Sequence, residues 1–462
     1  MSLLNLAQQA LQSGHLQVAI QQCLRLWHAN SGHAEAAGLL AVLYARTGEP
    51  DKALEFAGHA IEARPDDSRL RFNRAAIRES VGDDAGAETD YEAACRLDGT
   101  NLAARINLGN LLLRNDRLAD AEACFAAAAT AFPLAAEAHE GLGIALQRQK
   151  RSAEALAALH RARALNPDHP RIDANLGWAL LEGGEADGAA AQFDRALASC
   201  PGVSELWVGL AASHMARRAW PQALAALERA LDIEPAHQRA LAFKGIALDG
   251  LGRSAERRAL IDLDRLVWRR EHREPPEGYV DLGAFNQALA DYVLTHPSLV
   301  HNRAGKTTRN GSQTTGLAET EPGPVAALAR WIRGAIASYV AELRPAERAA
   351  APRRWRLRIW GTVLTSGGHQ DPHHHPSGWV SGVYYVRVPP GVGSDDTDQA
   401  GWIEFGRPDP FLRSVVVPDL RTVRPAEGLL LVFPSHVWHR TIPFVGDQPR
   451  ISIAFDAVPM PP

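Results

Sequence analysis

The first half of the chain is built on a period of 34 residues, which constrains its fold more than any other feature. One slot of the period holds Pro65, Pro133, Pro167, Pro201 and Pro235, with Gly99 where a sixth proline would stand. Two other slots hold small residues, at Ala41, Ala75, Gly109, Gly143, Gly177, Ala211 and Gly245, and at Ala53, Ala87, Ala121, Ala155, Ala189 and Ala223. Small residues let paired antiparallel helices approach closely, and proline ends the second helix of each pair. The period therefore predicts a stack of helical hairpins.

This pattern resembles the tetratricopeptide repeat over about residues 1–265. The resemblance implies an all-α superhelix whose concave face binds a peptide or protein. The alternative is an array that only supports oligomerisation or spaces the next domain. The last unit, from Gly245, has Arg257 in the alanine slot, and we expect it to pack onto the following segment.

The composition changes after the repeats, and the last quarter is rich in strand-forming residues. Strands are predicted at Arg356–Thr365, Trp379–Val388, Trp402–Phe405, Ser414–Val417, Leu429–Phe433 and Ile451–Phe455. Short strands separated by turn residues favour a barrel or sandwich, here of the jelly-roll type. We therefore predict a multidomain chain, with repeats over 1–265, a helical segment supporting the barrel over 266–355, and a barrel core over 356–458. The polar stretch at 302–312 is predicted to be a mobile loop beside the active site.

The candidate functional residues lie in this strand-rich part. Residues two apart in a strand share a face, so His373 and His375 can point to the same side while His374 points away. His439, on a later strand, could complete a three-sided metal site of neutral imidazoles. Arg450 follows, and a guanidinium can bind a carboxylate through two hydrogen bonds. The set indicates a metal with an acidic co-substrate.

Four linked motifs carry a second resemblance: His-x-His-Pro, Ser-Gly-Val-Tyr-Tyr-Val, Phe-Pro-Ser and Arg-Ile-Ser-Ile-Ala-Phe. Over about residues 280–457 the chain resembles the iron(II)- and 2-oxoglutarate-dependent oxygenases related to prolyl 4-hydroxylases. The resemblance implies a double-stranded β-helix barrel that uses Fe(II), 2-oxoglutarate and O₂. It implies His373 and His439 as iron ligands and Arg450, with Ser452 and Tyr385, as the 2-oxoglutarate site, with no catalytic residue beyond the metal centre.

The resemblance also implies a reaction, in which 2-oxoglutarate is decarboxylated to succinate while a substrate is hydroxylated. A peptide or protein recruited by the repeats is the expected substrate, and a small molecule is the alternative. Two other functions stay open. One is a repeat adaptor with an inactive barrel, and the other is a cupin-like three-histidine enzyme without 2-oxoglutarate, against which Arg450 and Ser452 speak.

One position departs from the superfamily's usual His-x-Asp motif, because His375 stands where the aspartate would be. The third ligand could be His375, a water molecule, or Asp371 in a shifted frame, His369-Gln370-Asp371. We predict the set His373, His375 and His439, because the Ser-Gly-Val-Tyr-Tyr-Val motif follows at the family's spacing.

Composition excludes other classes. A hydrophobic content of 46%, a charged content of 22% and a net charge of −4 indicate a globular protein with no general affinity for nucleic acid. The arginines clustered near 253–273 and 353–358 are predicted to lie on solvated helix faces. No apolar run approaches the roughly 18 residues that span a bilayer. Cys23, Cys95, Cys124 and Cys200 lack metal-ligand spacing, so we predict free thiols in a cytoplasmic protein that uses no membrane.

Overall fold

The computed structural model describes residues 3–303, 306–319, 322–390, 392, 398–412 and 419–460. They form two compact units, Met1–Ile172 and Asp173–Pro462. Within the described residues, no helix is long and apolar enough to cross a membrane.

The first unit consists of paired helices. They are α1 (Leu3–Gln12), α2 (Leu16–Ala29), α3 (Ala34–Arg46), α4 (Pro50–Ala63), α5 (Ser68–Ser80), α6 (Asp84–Leu97), α7 (Leu102–Arg114), α8 (Leu118–Ala131), α9 (Ala136–Arg148) and α10 (Ser152–Leu165). The predicted small positions are tightly packed: Ala53 and Ala121 are fully buried. A Cβ added at Gly109 or Gly141 would collide with the ring of Phe125. The predicted repeat is therefore confirmed.

The second unit begins with more helices of the same kind and continues into shorter ones. They are α11 (Pro170–Glu182), which begins just before the boundary, α12 (Ala186–Ser199), α13 (Ser204–Ala216), α14 (Trp220–Ile233), α15 (Gln238–Gly250), α16 (Ser254–Leu260), α17 (Leu263–Leu266), α18 (Leu282–Thr295), α19 (Pro324–Glu342) and α20 (Pro345–Ala349). Arg257, in the degenerate alanine slot, is buried and lies 3.7 Å from carboxylate oxygens of both Asp249 and Asp419. The last repeat unit thus packs onto the strand-rich part, as expected.

The strands form one curled sheet in which every pairing is antiparallel. They are β1 (Trp268–Glu271), β2 (Val300–His301), β3 (Thr308–Gln313), β4 (Trp355–His373), β5 (Val380–Arg387), β6 (Ile403–Phe405), β7 (Arg421–Val423), β8 (Leu429–Pro434), β9 (His439–Thr441) and β10 (Arg450–Pro459). The order is β1-β8-β5-β10-β4-β9-β6-β7, with β3 also pairing with β4 and β2 with β3. The beginning of β4 pairs with β10 and its end with β9, so one long strand links the two parts of the sheet.

The two faces of β4 have different partners. Ile359 and Val363 join a buried core with Phe285 of α18 and Ile332 of α19. The alternate residues, including Trp360, face the candidate site. Helices therefore cover one side of the sheet and leave the other side for chemistry.

Several local predictions need correction. The segment 266–355 contains three strands as well as helices, because β1 pairs with β8, β3 with β4 and β2 with β3. The stretch at 302–312 is in part the strand β3 rather than a mobile loop. Of the arginines at 353–358, Arg356 and Arg358 lie in β4 itself, and none lies on a helix face. The strand predicted at 414–417 falls outside the described residues.

Candidate metal centre

Three histidines meet where the end of β4 lies beside β9. His373 is the register partner of His439, and their ring centroids are 4.3 Å apart. His375 lies 5.2 Å from the ring of His373 and 5.1 Å from that of His439. One nitrogen of each ring lies within 4.8 Å of the others. A single ion bound between them could reach all three.

Hydrogen bonds fix which nitrogen of each ring faces the centre. Nδ1 of His373 lies 2.8 Å from the carbonyl oxygen of Asp371, and Nδ1 of His439 lies 3.1 Å from that of Val437. Carbonyl oxygens only accept, so each Nδ1 carries the proton and each Nε2 keeps its lone pair for a metal.

Burial keeps these rings neutral. It lowers the pKa of His373 to about 3, with a smaller contribution from the neighbouring His375. It also holds the pKa of His439 well below the usual range, again with repulsion from the other two histidines. Neutral imidazole is the form that binds a metal, so the rings of His373 and His439 are in their ligating state at ordinary pH.

Asp456 is a site residue that the sequence interpretation missed. Its Oδ1 lies 2.7 Å from Nδ1 of His375 and accepts a hydrogen bond of 2.7 Å from the hydroxyl of Ser381. Burial raises the pKa of Asp456, but His375 and the hydrogen bonds outweigh it and the net shift is downward. The signal was present, because Asp456 lies six residues after Arg450 on the same face of one strand.

Arg450 is a buried cation without an anion. It is 2% exposed and forms no salt bridge with any residue that the structure describes. Its guanidinium carbon lies 5.0 Å from the centre of the Tyr385 ring, and both its Nε and the Tyr385 hydroxyl are buried without a hydrogen-bond partner among the described residues. Burial lowers the pKa of Arg450, an effect that Tyr385 opposes. A buried guanidinium of this kind calls for an acidic ligand.

The three histidines, Tyr385 and Arg450 line one pocket. The lining residues are Trp360, Thr362, Gln370, His373, His375, Ser381, Gly382, Val383, Tyr385, Ile403, Phe433, His439, Thr441, Arg450, Ser452 and Ala454. The residues fit an iron ion with a dicarboxylic acid, because neutral imidazoles suit iron(II) and a fork of N–H donors suits a carboxylate.

The rival ligand, Asp371, does not join this cluster. Its Oδ2 lies 2.8 Å from Arg309, its Oδ1 lies 3.6 Å from Nε2 of His369, and its side chain is 39% exposed. His374 points away from the three-histidine cluster and packs edge-on against Trp438, with ring centroids 4.7 Å apart. His436 also points elsewhere, with its Nδ1 3.2 Å from the side-chain oxygen of Gln238.

Family models match both halves of the chain. Residues 358–456 match the family described as "Putative 2OG-Fe(II) oxygenase". Residues 10–74, 106–159 and 142–204 match tetratricopeptide repeat families. The chain carries tetratricopeptide repeats and a 2OG-Fe(II) oxygenase-family domain. The oxygenase-family match contains every residue of the three-histidine cluster as well as Arg450 and Asp456.

Among the solved structures similar to this chain, two are titled as tetratricopeptide repeat proteins. YrrB, titled a TPR protein with an unusual peptide-binding site, is 27% identical, with a TM-score of 0.35 over 41% of this chain and 97% of its own. A tetratricopeptide repeat protein from Parabacteroides merdae is 14% identical, with a TM-score of 0.44 over 53% of this chain and 97% of its own. MamA from Desulfovibrio magneticus RS-1 is 21% identical, with a TM-score of 0.33 over 36% and 93%. Among curated proteins, none matches the chain significantly.

Proposed function

We propose that the chain is an iron(II)- and 2-oxoglutarate-dependent dioxygenase. The observation that carries the proposal is the placement of three histidine rings in the same pocket as one buried guanidinium, Arg450, which has no salt bridge among the described residues. Bound iron(II), together with 2-oxoglutarate and O₂, supplies oxidative chemistry that yields succinate, CO₂ and a hydroxylated substrate. The protein positions the reactants and keeps water out.

His373, His375 and His439 are the proposed iron ligands. Each presents one nitrogen to the common centre, and His375 Nε2 is buried without a hydrogen-bond partner among the described residues. Asp371 is the alternative third ligand, and its contacts with Arg309 and His369 weigh against it.

Arg450 is proposed to bind the far carboxylate of 2-oxoglutarate, with Ser452 and Tyr385 beside it. Arg450 and Ser452 lie two residues apart on β10, and both line the pocket. Tyr385 of β5 is the register partner of Ser452. A carboxylate there would neutralise the buried guanidinium and give the Tyr385 hydroxyl an acceptor.

The proposed architecture is a double-stranded β-helix, or jelly roll, over 356–458, supported by 266–355 and preceded by repeats over 1–265. Its support is the curled antiparallel sheet with helices on one face. We also propose that the repeats recruit a peptide or protein substrate; a small molecule would fit the same chemistry.

An anaerobic titration tests the proposal. Iron(II) is added to the metal-free chain with and without 2-oxoglutarate. The charge-transfer absorption of iron(II) chelated by the 2-oxo acid is recorded. We expect the band only when both are present, with one equivalent of iron, and slow succinate formation once O₂ is admitted. Stoichiometric iron without the band or succinate would favour a three-histidine enzyme of another kind. Absence of iron binding would favour a repeat adaptor with an inactive barrel.

A further inference from the structure

The structure shows a carboxylate directly behind the histidine that stands in the aspartate position. We propose that Asp456 is a positioning residue that fixes His375 as the third metal ligand, so that the missing carboxylate acts through an imidazole instead of touching the ion. This inference rests on the proposed function.

His375 is held at its ring and at its backbone by connected groups. Asp456 accepts from the ring at Nδ1, and Ser381, which also donates to Asp456, lies 2.8 Å from the hydroxyl of Ser435. The carbonyl oxygen of Ser435 accepts from the backbone N–H of His375 at 2.9 Å. Trp360 stacks on the His375 ring, with centroids 5.6 Å apart and planes at 24°. Rotation of the ring would break the bond to Asp456 and the stack together.

This arrangement has an electronic consequence. Three neutral ligands leave the full charge of a divalent ion in the pocket, and a buried carboxylate one ring away offsets part of it. A carboxylate that accepts from Nδ1–H fixes the tautomer and makes Nε2 a better donor. Asp456 is thus expected to raise metal affinity without touching the metal.

The test compares metal binding in full-length Asp456→Asn, Ser381→Ala and, as a matched control, Asp371→Asn. Iron(II) affinity is measured anaerobically, and the visible spectrum of bound cobalt(II) reports ligand geometry. We expect about 10- to 100-fold weaker binding and an altered cobalt spectrum for Asp456→Asn, a smaller loss for Ser381→Ala, and no change for Asp371→Asn.

Two results separate this inference from the proposed function. Wild-type metal affinity and spectrum in folded Asp456→Asn, with binding abolished by His373→Ala, would overturn the positioning role alone. Metal binding that survives His373→Ala as well would overturn the proposed function. Should Asp456→Asn not fold, unchanged binding in Ser381→Ala would overturn the positioning role.

A separate feature concerns the substrate. Trp360 and Thr362 of β4 line the pocket, and the strand's period of two places Arg356 and Arg358 on the same face. Both arginines are exposed, and neither forms a salt bridge within the described part of the chain. The pocket-facing side of β4 therefore runs from Trp360 to two exposed arginines, of which Arg358 also attracts the carboxylate of Asp456.

The register of β4 with β10 orders these groups along the pocket. Arg358 is opposite Asp456, which holds His375, whereas Arg450 is opposite Leu364. Arg450 and Asp456 are six positions apart on β10, which corresponds to about 20 Å at roughly 3.4 Å per residue. The proposed 2-oxoglutarate site and the exposed arginines thus lie toward opposite ends of this strand pair.

We infer that Arg356 and Arg358 select a substrate with acidic residues beside the group to be oxidised, namely an acidic peptide segment. This inference also rests on the proposed function. Exposed guanidiniums bind carboxylates weakly and in a salt-dependent way, so they would guide and orient the peptide, while Trp360 contacts the part nearest the metal.

Fluorescence anisotropy with a labelled octaglutamate peptide tests this inference, with labelled octaserine as the neutral probe. We expect octaglutamate alone to bind at low salt, and Arg356→Gln/Arg358→Gln to weaken binding at least fivefold. Arg269→Gln/Arg270→Gln removes the same charge from β1, where both arginines are exposed, and should leave binding unchanged. No binding, or equal losses in both variants, would overturn the acidic specificity. Peptide-independent succinate formation should persist in both, so failure here is distinct from failure of the proposed function.

Discussion

Phe243 of the repeat helix α15 stacks on Trp438, the residue before His439, with ring centroids 6.3 Å apart and planes at 7°. The same phenylalanine packs edge-on against His374, with ring centroids 6.2 Å apart. His374 lies in the sequence between the proposed ligands His373 and His375. One repeat helix therefore contacts the outward side of both segments that carry the three-histidine cluster.

Phe243→Ala should lower both stability and metal affinity. The ring is 5% exposed, and its loss should cost about 3–5 kcal/mol of unfolding free energy while loosening His374 and Trp438. Denaturant unfolding and iron titration measure the two effects. Phe193→Ala is the matched control, because that ring is fully buried between Gly177 and Gly209 in the repeats. It should lose comparable stability and keep wild-type iron affinity; equal affinity losses in both would contradict a specific link.

The two ligands that face each other should be indispensable. His373→Ala and His439→Ala should each abolish stoichiometric iron(II) binding, because each removes one of only three protein bonds. His374→Ala should keep one equivalent of iron, since its ring points toward Trp438. Metal analysis after anaerobic desalting measures this, and a full equivalent in His373→Ala would refute the assignment.

The choice of third ligand is decided by two variants measured side by side. His375→Ala should weaken iron binding, because it removes a nitrogen from the centre. Asp371→Asn should not, because that carboxylate pairs with Arg309. The reverse outcome would show that the shifted frame, with Asp371 as ligand, is correct.

Arg450→Ala should impair the use of 2-oxoglutarate while leaving iron binding nearly unchanged. Two charge-assisted hydrogen bonds would be lost, each worth roughly 1.5–3 kcal/mol, so the half-saturating 2-oxoglutarate concentration should rise well over tenfold. Arg450→Lys should recover only part, because an ammonium lacks the fork geometry. Succinate formation against 2-oxoglutarate concentration measures this; wild-type dependence in Arg450→Ala would mean that another cation binds the acid.

His272 should make stability depend on pH. Its ring stacks on Trp331 at 3.9 Å, and burial, with a contribution from Arg270, lowers its pKa to about 4. In the unfolded chain His272 is protonated near pH 6.5, whereas in the folded chain it stays neutral until about pH 4. The unfolding free energy therefore falls as the pH drops through this window. His272→Phe should keep the stack and remove about 1–3 kcal/mol of that fall. Denaturant unfolding at pH 7, 5.5 and 4.5 checks this, and parallel curves for both proteins would contradict it.

The sequence predicted the features that repeat or alternate. The 34-residue period located the buried alanines, and the strand period of two placed His373 and His375 on one side and His374 on the other. Both predictions follow from the periods of helix and strand, which are visible in a single sequence.

Features that depend on distant pairing were missed. Trp268–Glu271 forms an edge strand only because β8 lies beside it, and nothing in four residues specifies that partner. The strand period could have placed Asp456 on the face of Arg450, but its contact with His375, 81 positions away in the sequence, depends on how the strands pair. The arginines near 353–358 were assigned to a solvated helix face, although a strand was also predicted from Arg356, because charged residues carry little strand signal.

The short strand β1 covers the edge of the apolar strand β8. Its four residues, Trp268 to Glu271, pair with Val432 to Leu429 of β8, whose sequence Leu-Leu-Leu-Val-Phe-Pro is buried throughout. A fragment that begins at Tyr279 would leave this apolar strand as a bare sheet edge, a template for pairing with other chains. Aggregation of such a fragment would then result from the unpaired edge of β8. Truncated or fused versions of the strand-rich part should therefore begin well before Trp268.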